Sequence, residues 1–362
     1  MDKLNVSVLG TGNGGTAMAA HVKAQGHYVK LIKTSTTIHN EHFKTVMENH
    51  GQLSMIEGDK TKTVHLDLVT TNIAEITESD VIVIFIRTRY HEKLIKRMAP
   101  YLRDNHIILL EPGYLSTAFF MKYVPDLRLN IVEAESSPMD CRIVSPGKVE
   151  VYFRNKTNPL GVFPGDSKSF VKRMLDALNL KFAYDLSVFE AALHNPNLIV
   201  HTIGAFMSIP RIEQTDNNYS MYKEVFTPTV WKLVEGLDRE KMAILDALGY
   251  LSPPYVETCK RRNTDDLNRD AKEVFDDYAN HHSVDGPNIA DSRYITEDVP
   301  EGLVLLEDLG KHLNIKTPVC SSFINLANIA MNMDYREIGR TIDRLGEANL
   351  RMISKDDGMN LF

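Results

Sequence analysis

Cysteine is scarce in this chain, and no sign of charge dominates it. Three cysteines, Cys141, Cys259 and Cys320, occur in 362 residues. An odd number so widely spaced argues against a disulfide framework and against a cysteine-rich metal site. No metal is expected, and the chain fits a reducing, cytoplasmic compartment. The formal net charge of −7 leaves no basic footprint, so neither nucleic acid nor an anionic membrane is an expected partner. No apolar run approaches the length needed to cross a bilayer. The first strand starts so early that no signal peptide is expected, and no internal repeat or low-complexity segment is found. Hydrophobic residues at 43% and charged ones at 25% are those of a globular protein. The length points to two domains.

Against these absences stands one specific motif. The apolar strand Asn5-Val-Ser-Val-Leu9 runs into Gly10-Thr-Gly12-Asn13-Gly14-Gly15, an Ala-rich helix and a second strand, His27-Tyr-Val-Lys-Leu-Ile32. Gly10 permits a tight turn, Gly12 lets the backbone approach a pyrophosphate, and Gly15 allows helix to pack closely on strand. The helix N-terminus offers N–H groups and a positive dipole end to the phosphates. A lone G-x-G-x-x-G is weak, but the flanking strands and helix supply its context. A dinucleotide is therefore expected on Gly10, Gly12, Asn13, Gly14 and Gly15. NAD-binding folds usually end the second strand with an acid that holds the ribose 2′-hydroxyl. Here Lys33-Thr34-Ser35-Thr36-Thr37 stands there instead, with no acid before Glu41. A cation with hydroxyls suits a 2′-phosphate, so NADP(H) is the preferred cofactor expected, with NAD(H) as the alternative.

Strands and helices alternate up to about residue 180, as a mostly parallel sheet with crossover helices requires. Strands are predicted at Leu66–Val69, at the strongly apolar Val81–Ile86, at Ile107–Leu110 and from Ile131. Val149–Phe153 with Leu160–Phe163 reads as an antiparallel pair. Loops starting at Gly10, Arg87, Glu111 and Glu133 should line the crevice at the carboxyl ends of the strands. From about Asp185 helical periods dominate, at Thr229–Ala247, Glu301–His312 and Thr317–Met331, and the charged run Lys260–Asn280 reads as a solvated helix face. The expectation is an α/β Rossmann domain over 1–184 followed by an all-helical domain over 185–362, with a small-molecule site in a cleft between them.

Two segments of the helical part could carry chemistry. Asn197 and His201 lie four apart among Leu198, Ile199, Val200 and Ile203, so on a helix they share one face. Spacing alone fits a core histidine bonded to Asn197 or to a carbonyl as well as it fits a catalytic one. In Ser292-Arg293-Tyr294-Ile-Thr-Glu297-Asp298-Val-Pro300, Asp298 reads either as a helix N-cap or as the acceptor that raises the basicity of a histidine.

With these residues in view the chain resembles the octopine/nopaline (opine) dehydrogenase family, along nearly its whole length. The resemblance is carried by Gly10–Gly15, Asp80-Val-Ile-Val-Ile with His91, Pro112-Gly113, Glu133-x-x-Ser136-x-Pro138-x-x-Cys141-Arg142, Asn197-x-x-x-His201, Tyr222-Lys-Glu, Leu237-Asp-Arg-Glu240, Ala247-Leu-Gly249 and Arg293-Tyr-Ile-x-Glu-Asp298-Val-Pro300. It implies a Rossmann domain joined to a helical domain like that of 6-phosphogluconate dehydrogenase. It also implies NAD(P)H-dependent reductive condensation of an amino acid's amine with a 2-oxo acid through an imine. His201 would be the acid/base, Asp298 its dyad partner, and Asn197 an orienting residue. Arg293 falls to the cofactor side, and Glu133, Cys141 and Arg142 to the substrate side. Amino acid and 2-oxo acid are the implied partners, with a homodimer left open. The chain departs from the family at Arg87-Thr88-Arg89-Tyr90, after Pro112-Gly113, where Tyr114-Leu115 replaces a glycine-rich continuation, and at Thr202, where the family has proline. Arg87 and Arg89 are accordingly candidates for a substrate carboxylate or a cofactor phosphate. The alternatives are a ketopantoate-reductase-like reductase of a 2-oxo acid, whose acid is a lysine with no counterpart at His201, and a non-catalytic NADP(H)-binding sensor.

Overall fold

Twelve strands organise the first half of the chain, the computed structural model describing residues 3–214 and 219–359. In chain order they are β1 (Asn5–Leu9), β2 (Tyr28–Ile32), β3 (Gln52–Glu57), β4 (Lys60–His65), β5 (Leu68–Thr70), β6 (Val81–Ile84), β7 (Ile107–Leu110), β8 (Asn130–Ala134), β9 (Met139–Ser145), β10 (Lys148–Arg154), β11 (Asn158–Phe163) and β12 (Phe182–Leu186). The larger sheet has the order β12-β11-β8-β7-β6-β1-β2-β5. From β5 to β8 every neighbouring pair is parallel, while β11 runs antiparallel to β8. The Val-Ile-Val-Ile of β6 and Ile-Ile-Leu-Leu of β7 are wholly buried, as strands covered on both faces must be. The chain winds from β1 to β2 and later returns to β6 on the other flank of β1. That reversal lies where the Gly10 turn leaves the sheet, the position at which doubly wound sheets bind ligands.

Two sequence expectations are corrected here. Val149–Phe153 and Leu160–Phe163 do not pair. β10 joins a separate four-stranded sheet of order β4-β3-β10-β9, and β11 pairs with β8 and β12 in the large one. The hairpin of β3 and β4 was not foreseen, and the strand expected at 66–69 is β5, shifted by about two residues. Helix α1 (Asn13–Ala24) packs on β1 and β2 from one side and on β3, β4, β9 and β10 from the other. This double cover explains why Ala17, Met18, Ala19, Ala20 and Val22 are all fully buried. Small side chains let both sheets come close. The remaining helices of this unit are α2 (Asn40–Glu48), α3 (His91–Met98), α4 (Thr117–Tyr123) and α5 (Lys168–Leu175).

The chain divides between Val188 and Phe189 into two units. The second is built from helices alone among its described residues, α6 (Val188–Leu193) bridging the division. They continue with α7 (Asn197–Gln214), α8 (Met221–Glu224), α9 (Pro228–Ala247), α10 (Tyr255–Asn263), α11 (Ala271–His281), α12 (Arg293–Thr296), a π turn (Val299–Leu303), α13 (Val304–His312), α14 (Pro318–Met331), α15 (Tyr335–Ile338), α16 (Ile342–Leu345) and α17 (Glu347–Asp356). The helices expected at 229–247, 301–312 and 317–331 are α9, the π turn with α13, and α14. Proline in the first turn starts α9 and α14, where its missing N–H has no intrahelical acceptor to lose. Among the described residues no helix is long and apolar enough to cross a membrane.

Candidate functional site

The glycine turn separates what the fold needs from what a ligand would need. Gly10 has φ +119°, and a Cβ there would stand 2.3 Å from the Phe85 carbonyl oxygen. A Cβ on Gly15 would stand 2.0 Å from the carbonyl oxygen of Gly10. Neither position admits a side chain. Gly12 is different: its φ is −84°, and a Cβ would meet nothing nearer than the His39 ring at 3.5 Å. The chain itself tolerates a side chain at 12, whereas a pyrophosphate laid on the turn would not. The first N–H groups of α1, which have no intrahelical partner, face the same turn. The Asn13 side chain accepts from Ile143 N–H at 2.9 Å and so ties the turn to β9.

Basic groups lie beside this turn. His39, in left-handed backbone at φ 54°, has its pKa lowered by burial and then by the charges of Lys33 and Arg87. Three basic groups thus share one field beside Gly12. His42 accepts from Gly147 N–H on Nδ1 and faces Thr16 Oγ1 with Nε2, each at 3.1 Å. Burial above all pushes it down to about 4, so it is a neutral brace. The Lys33 ammonium, expected to face a 2′-phosphate, donates instead to the Ile38 carbonyl, near the Phe43 ring. Thr34 and Ser35 are partly buried, and Ser35 Oγ lies 3.3 Å from Thr37 Oγ1. Arg97 of α3 reaches this loop from 63 residues away and donates from Nη1 to the Thr34 carbonyl at 3.0 Å. Neither Arg97 nor His39 was a candidate from sequence, and no local signal marks either. These residues fit a dinucleotide: a turn open at Gly12, a helix N-terminus, and the charges of Lys33 and Arg87 felt at His39 beside it.

The loops after β6, β7 and β8 leave the same edge of the sheet. Arg87 and Arg89 are both exposed, and the Arg89 guanidinium lies 4.6 Å from the Tyr90 ring centre. Glu111 is buried with neither carboxyl oxygen hydrogen-bonded among the described residues, and burial raises its pKa well above the ordinary carboxylate range. Glu133 is wholly buried. It accepts from Leu115 N–H at 2.9 Å, from Thr117 N–H at 2.8 Å and from the Thr117 hydroxyl at 2.7 Å. Tyr114 and Leu115, standing where the family carries glycines, have φ of 49° and 63°, a region disfavoured for side chains by roughly 1–2 kcal/mol per residue. The Glu133 carboxylate holds that turn in place. Cys141 lies in the hydrophobic core, and Arg142 donates to the Cys141 carbonyl at 3.1 Å.

In the helical unit two distant segments meet. The Asn195 side chain accepts from Asn197 N–H at 3.0 Å, capping α7 and orienting its first turn. One turn on, His201 Nδ1 lies 2.9 Å from Asp298 Oδ2, 97 residues away in sequence. Both residues are buried, at 6% and 2% exposure. His201 therefore bonds to a carboxylate. Asp298 forms no cap bond to the π turn it precedes. That turn is anchored by Arg340, whose backbone N–H donates to the Pro300 carbonyl at 2.8 Å and whose side chain pairs with Glu301 at 2.8 Å. The Tyr294 ring stacks on His201 with centroids 3.6 Å apart and planes within 4°. Tyr294 was passed over in the sequence, although it stands four residues before Asp298. Arg293 is exposed beside it, 5.5 Å from its ring centre. Thr202 donates to the Leu198 carbonyl at 2.7 Å, which satisfies a buried hydroxyl where the family has proline. His194 is not part of this arrangement: its Nε2 lies 3.1 Å from the Leu251 carbonyl oxygen, and burial pushes it down to about 3.

Comparison with known proteins agrees with this layout. Residues 185–331 match the family described as NAD/NADP octopine/nopaline dehydrogenase, alpha-helical domain. Residues 5–112 match the NAD-dependent glycerol-3-phosphate dehydrogenase N-terminus. The opine dehydrogenase of Arthrobacter sp. (strain 1C) is 27% identical over 351 residues, 95% of each chain. Octopine dehydrogenase in complex with NADH and agmatine superimposes with a TM-score of 0.77 over 98% of each chain, at 17% identity. The NADP+-bound form of yersinopine dehydrogenase does so with 0.72 over 98% of each chain, at 13% identity. At such identities the two structures share the fold.

Proposed function

Because the chain belongs to the octopine/nopaline (opine) dehydrogenase family, we propose that it joins the amine of an amino acid to a 2-oxo acid, with His201 as acid/base and NADP(H) as preferred cofactor. The chain is an NAD(P)-dependent oxidoreductase acting on a CH–NH bond. The observation that carries the reading of its residues is the buried His201–Asp298 pair at 2.9 Å. A carboxylate accepting from Nδ1–H fixes the histidine tautomer and stabilises its protonated form, and Nε2 then becomes the proton-exchanging atom.

The proton traffic of the condensation suits such a pair. The amine adds to the carbonyl carbon, and water leaves to give the imine. His201 takes a proton as the amine adds and returns one to the departing hydroxyl, with Asp298 supporting the imidazolium between the two events. Tyr294 keeps the imidazole in its plane. Asn197, on the first turn of the same helix, orients substrate. In the Rossmann unit Gly12 and the N-terminus of α1 would receive the pyrophosphate, Lys33 and Arg87 would add positive field, and Thr34 and Ser35 would border the adenosine ribose. Bound nicotinamide supplies the hydride that reduces the imine carbon.

The test is NADPH consumption by the purified protein, followed by nicotinamide absorbance across paired 2-oxo acids and amino acids. Consumption that requires both partners supports the reading. Equal consumption with the 2-oxo acid alone would make the protein a simple 2-oxo acid reductase. No consumption with any pair would leave a dinucleotide-binding protein without this chemistry.

A further inference from the structure

We infer that Arg97 reads the phosphate on the adenosine ribose, and so sets the preference for NADP(H) over NAD(H); this rests on the cofactor reading given above. In a doubly wound sheet the ribose 2′ position is read at the end of the second strand, which here is the loop after Ile32. That loop carries no acid before Glu41, so nothing in it would repel a phosphate.

The cation supplied by the loop's own sequence faces away from this task. Lys33 is only 6% exposed, and its ammonium is bonded to the Ile38 carbonyl. Arg97 occupies the role from the other flank of β1. It is exposed on α3, and its Nη1 donates to the Thr34 carbonyl at 3.0 Å. One of the five N–H donors of a guanidinium suffices for that bond. The planar fork is thereby fixed beside the loop while its other donors remain for a bidentate contact with an oxyanion. Ser35 Oγ and Thr37 Oγ1, 3.3 Å apart on the same loop, add neutral donors at the place a phosphate would need them. An arginine keeps its charge at any pH the protein meets, so the preference would not fade with mild alkali.

The experiment is calorimetric titration of the full chain with adenosine 2′,5′-bisphosphate and with 5′-AMP, then with NADPH and NADH. The wild type should favour the 2′-phosphorylated member of each pair. Arg97→Ala should weaken the 2′-phosphorylated ligands by roughly 10–100-fold, the range for losing a charge-assisted contact, while leaving 5′-AMP and NADH unchanged. Arg97→Lys should restore part of the loss. A preference that survives in Arg97→Ala would overturn this inference and leave the NADP(H) reading standing. So would an equal loss for all four ligands, which would make Arg97 a brace for the loop. A wild type that binds 5′-AMP as tightly as the bisphosphate would overturn the cofactor preference itself, and the role of Arg97 with it.

Discussion

The rings of His201 and Tyr294 lie parallel, 3.6 Å between centroids and 4° between planes, while His201 Nδ1 is held 2.9 Å from Asp298. The imidazole is thus fixed in two independent ways. The carboxylate sets its rotation within the ring plane, and the tyrosine sets the plane itself. Tyr294 and Asp298 come from one short segment, α12 and the residue before the π turn, so both constraints arrive together when that segment docks on α7.

Tyr294→Leu should therefore lower kcat with little change in KM for either substrate, since it removes a positioning surface rather than a binding group. A loss of roughly tenfold is expected, less than the ~10²-fold associated with a 1 Å displacement of a catalytic group. Tyr294→Phe retains the stack and should stay near wild type. Steady-state kinetics on the two variants separate these outcomes. A loss as large in Tyr294→Phe as in Tyr294→Leu would mean that the phenol itself takes part.

Gly12 and Gly15 of the turn should respond to alanine in different ways. Gly15→Ala places a methyl 2.0 Å from the Gly10 carbonyl oxygen, so helix α1 must move off β1 and the melting temperature should fall. Gly12→Ala meets only the His39 ring, at van der Waals distance. Its melting temperature should stay within a degree or two of wild type, while dinucleotide affinity falls at least tenfold because the methyl occupies the pyrophosphate's approach. Thermal melts paired with NADPH titrations test both. A Gly12→Ala protein that binds NADPH normally would remove the turn from the binding site.

How far the sequence reached is clear from particular elements. β6 and β7 were legible because four consecutive β-branched or leucine residues have no other comfortable place than a buried strand. β3 and β4 were not: Lys60–His65 is largely polar and mostly exposed, and Gln52–Glu57 has polar residues at both ends. β3 is held by pairing with β10, nearly a hundred residues further on, and β4 by pairing with β3 across the turn at Gly58; no local pattern encodes the contact with β10. For the same reason β10 was assigned to the wrong neighbour. The glycine turn was readable as a motif, but only geometry distinguishes Gly12 from Gly10 and Gly15. His201 was visible as a polar residue in apolar surroundings, and Asp298 as either a helix cap or a histidine's acceptor. Their contact spans 97 residues, and it was the family resemblance rather than any spacing that paired them. Arg97 lies on an exposed helix face with no signal of its own.

Glu111 should make stability depend on pH in a predictable sense. Burial raises its folded pKa well above 4.5. Above pH 4.5 the unfolded chain releases this proton while the folded one keeps it. Its contribution to stability is thus full below that pH and declines as pH rises, by about 1.4 kcal/mol per unit until the folded pKa is reached. Glu111→Gln carries no such proton, so its stability relative to wild type should grow between pH 6.5 and pH 8. The comparison is made above pH 6.5 because the neutral histidines His21, His42 and His194, pushed down to about 4, 4 and 3 mainly by burial, withdraw stability only as pH falls below that value. Urea melts at the two pH values measure the difference. A gap that does not change with pH would show that Glu111 is ionised in the folded protein.

The dyad itself gives the most decisive variants. His201→Ala should reduce turnover by roughly 10²–10⁴, the range for losing a general acid/base, with dinucleotide affinity nearly intact because the histidine belongs to the helical unit. Asp298→Asn keeps a hydrogen-bond acceptor beside Nδ1 but removes the anion that stabilises the imidazolium, so His201 gives up its proton at lower pH. The direction in which the rate profile moves then identifies the role. If His201 must be protonated in the rate-limiting step, activity on the basic side should fall away at lower pH than in wild type. If it must be neutral, activity should extend further into acid. A profile that does not move, combined with near-normal turnover in His201→Ala, would make the pair a buried structural contact, and the acid/base of the reaction would have to be sought elsewhere in the helical unit.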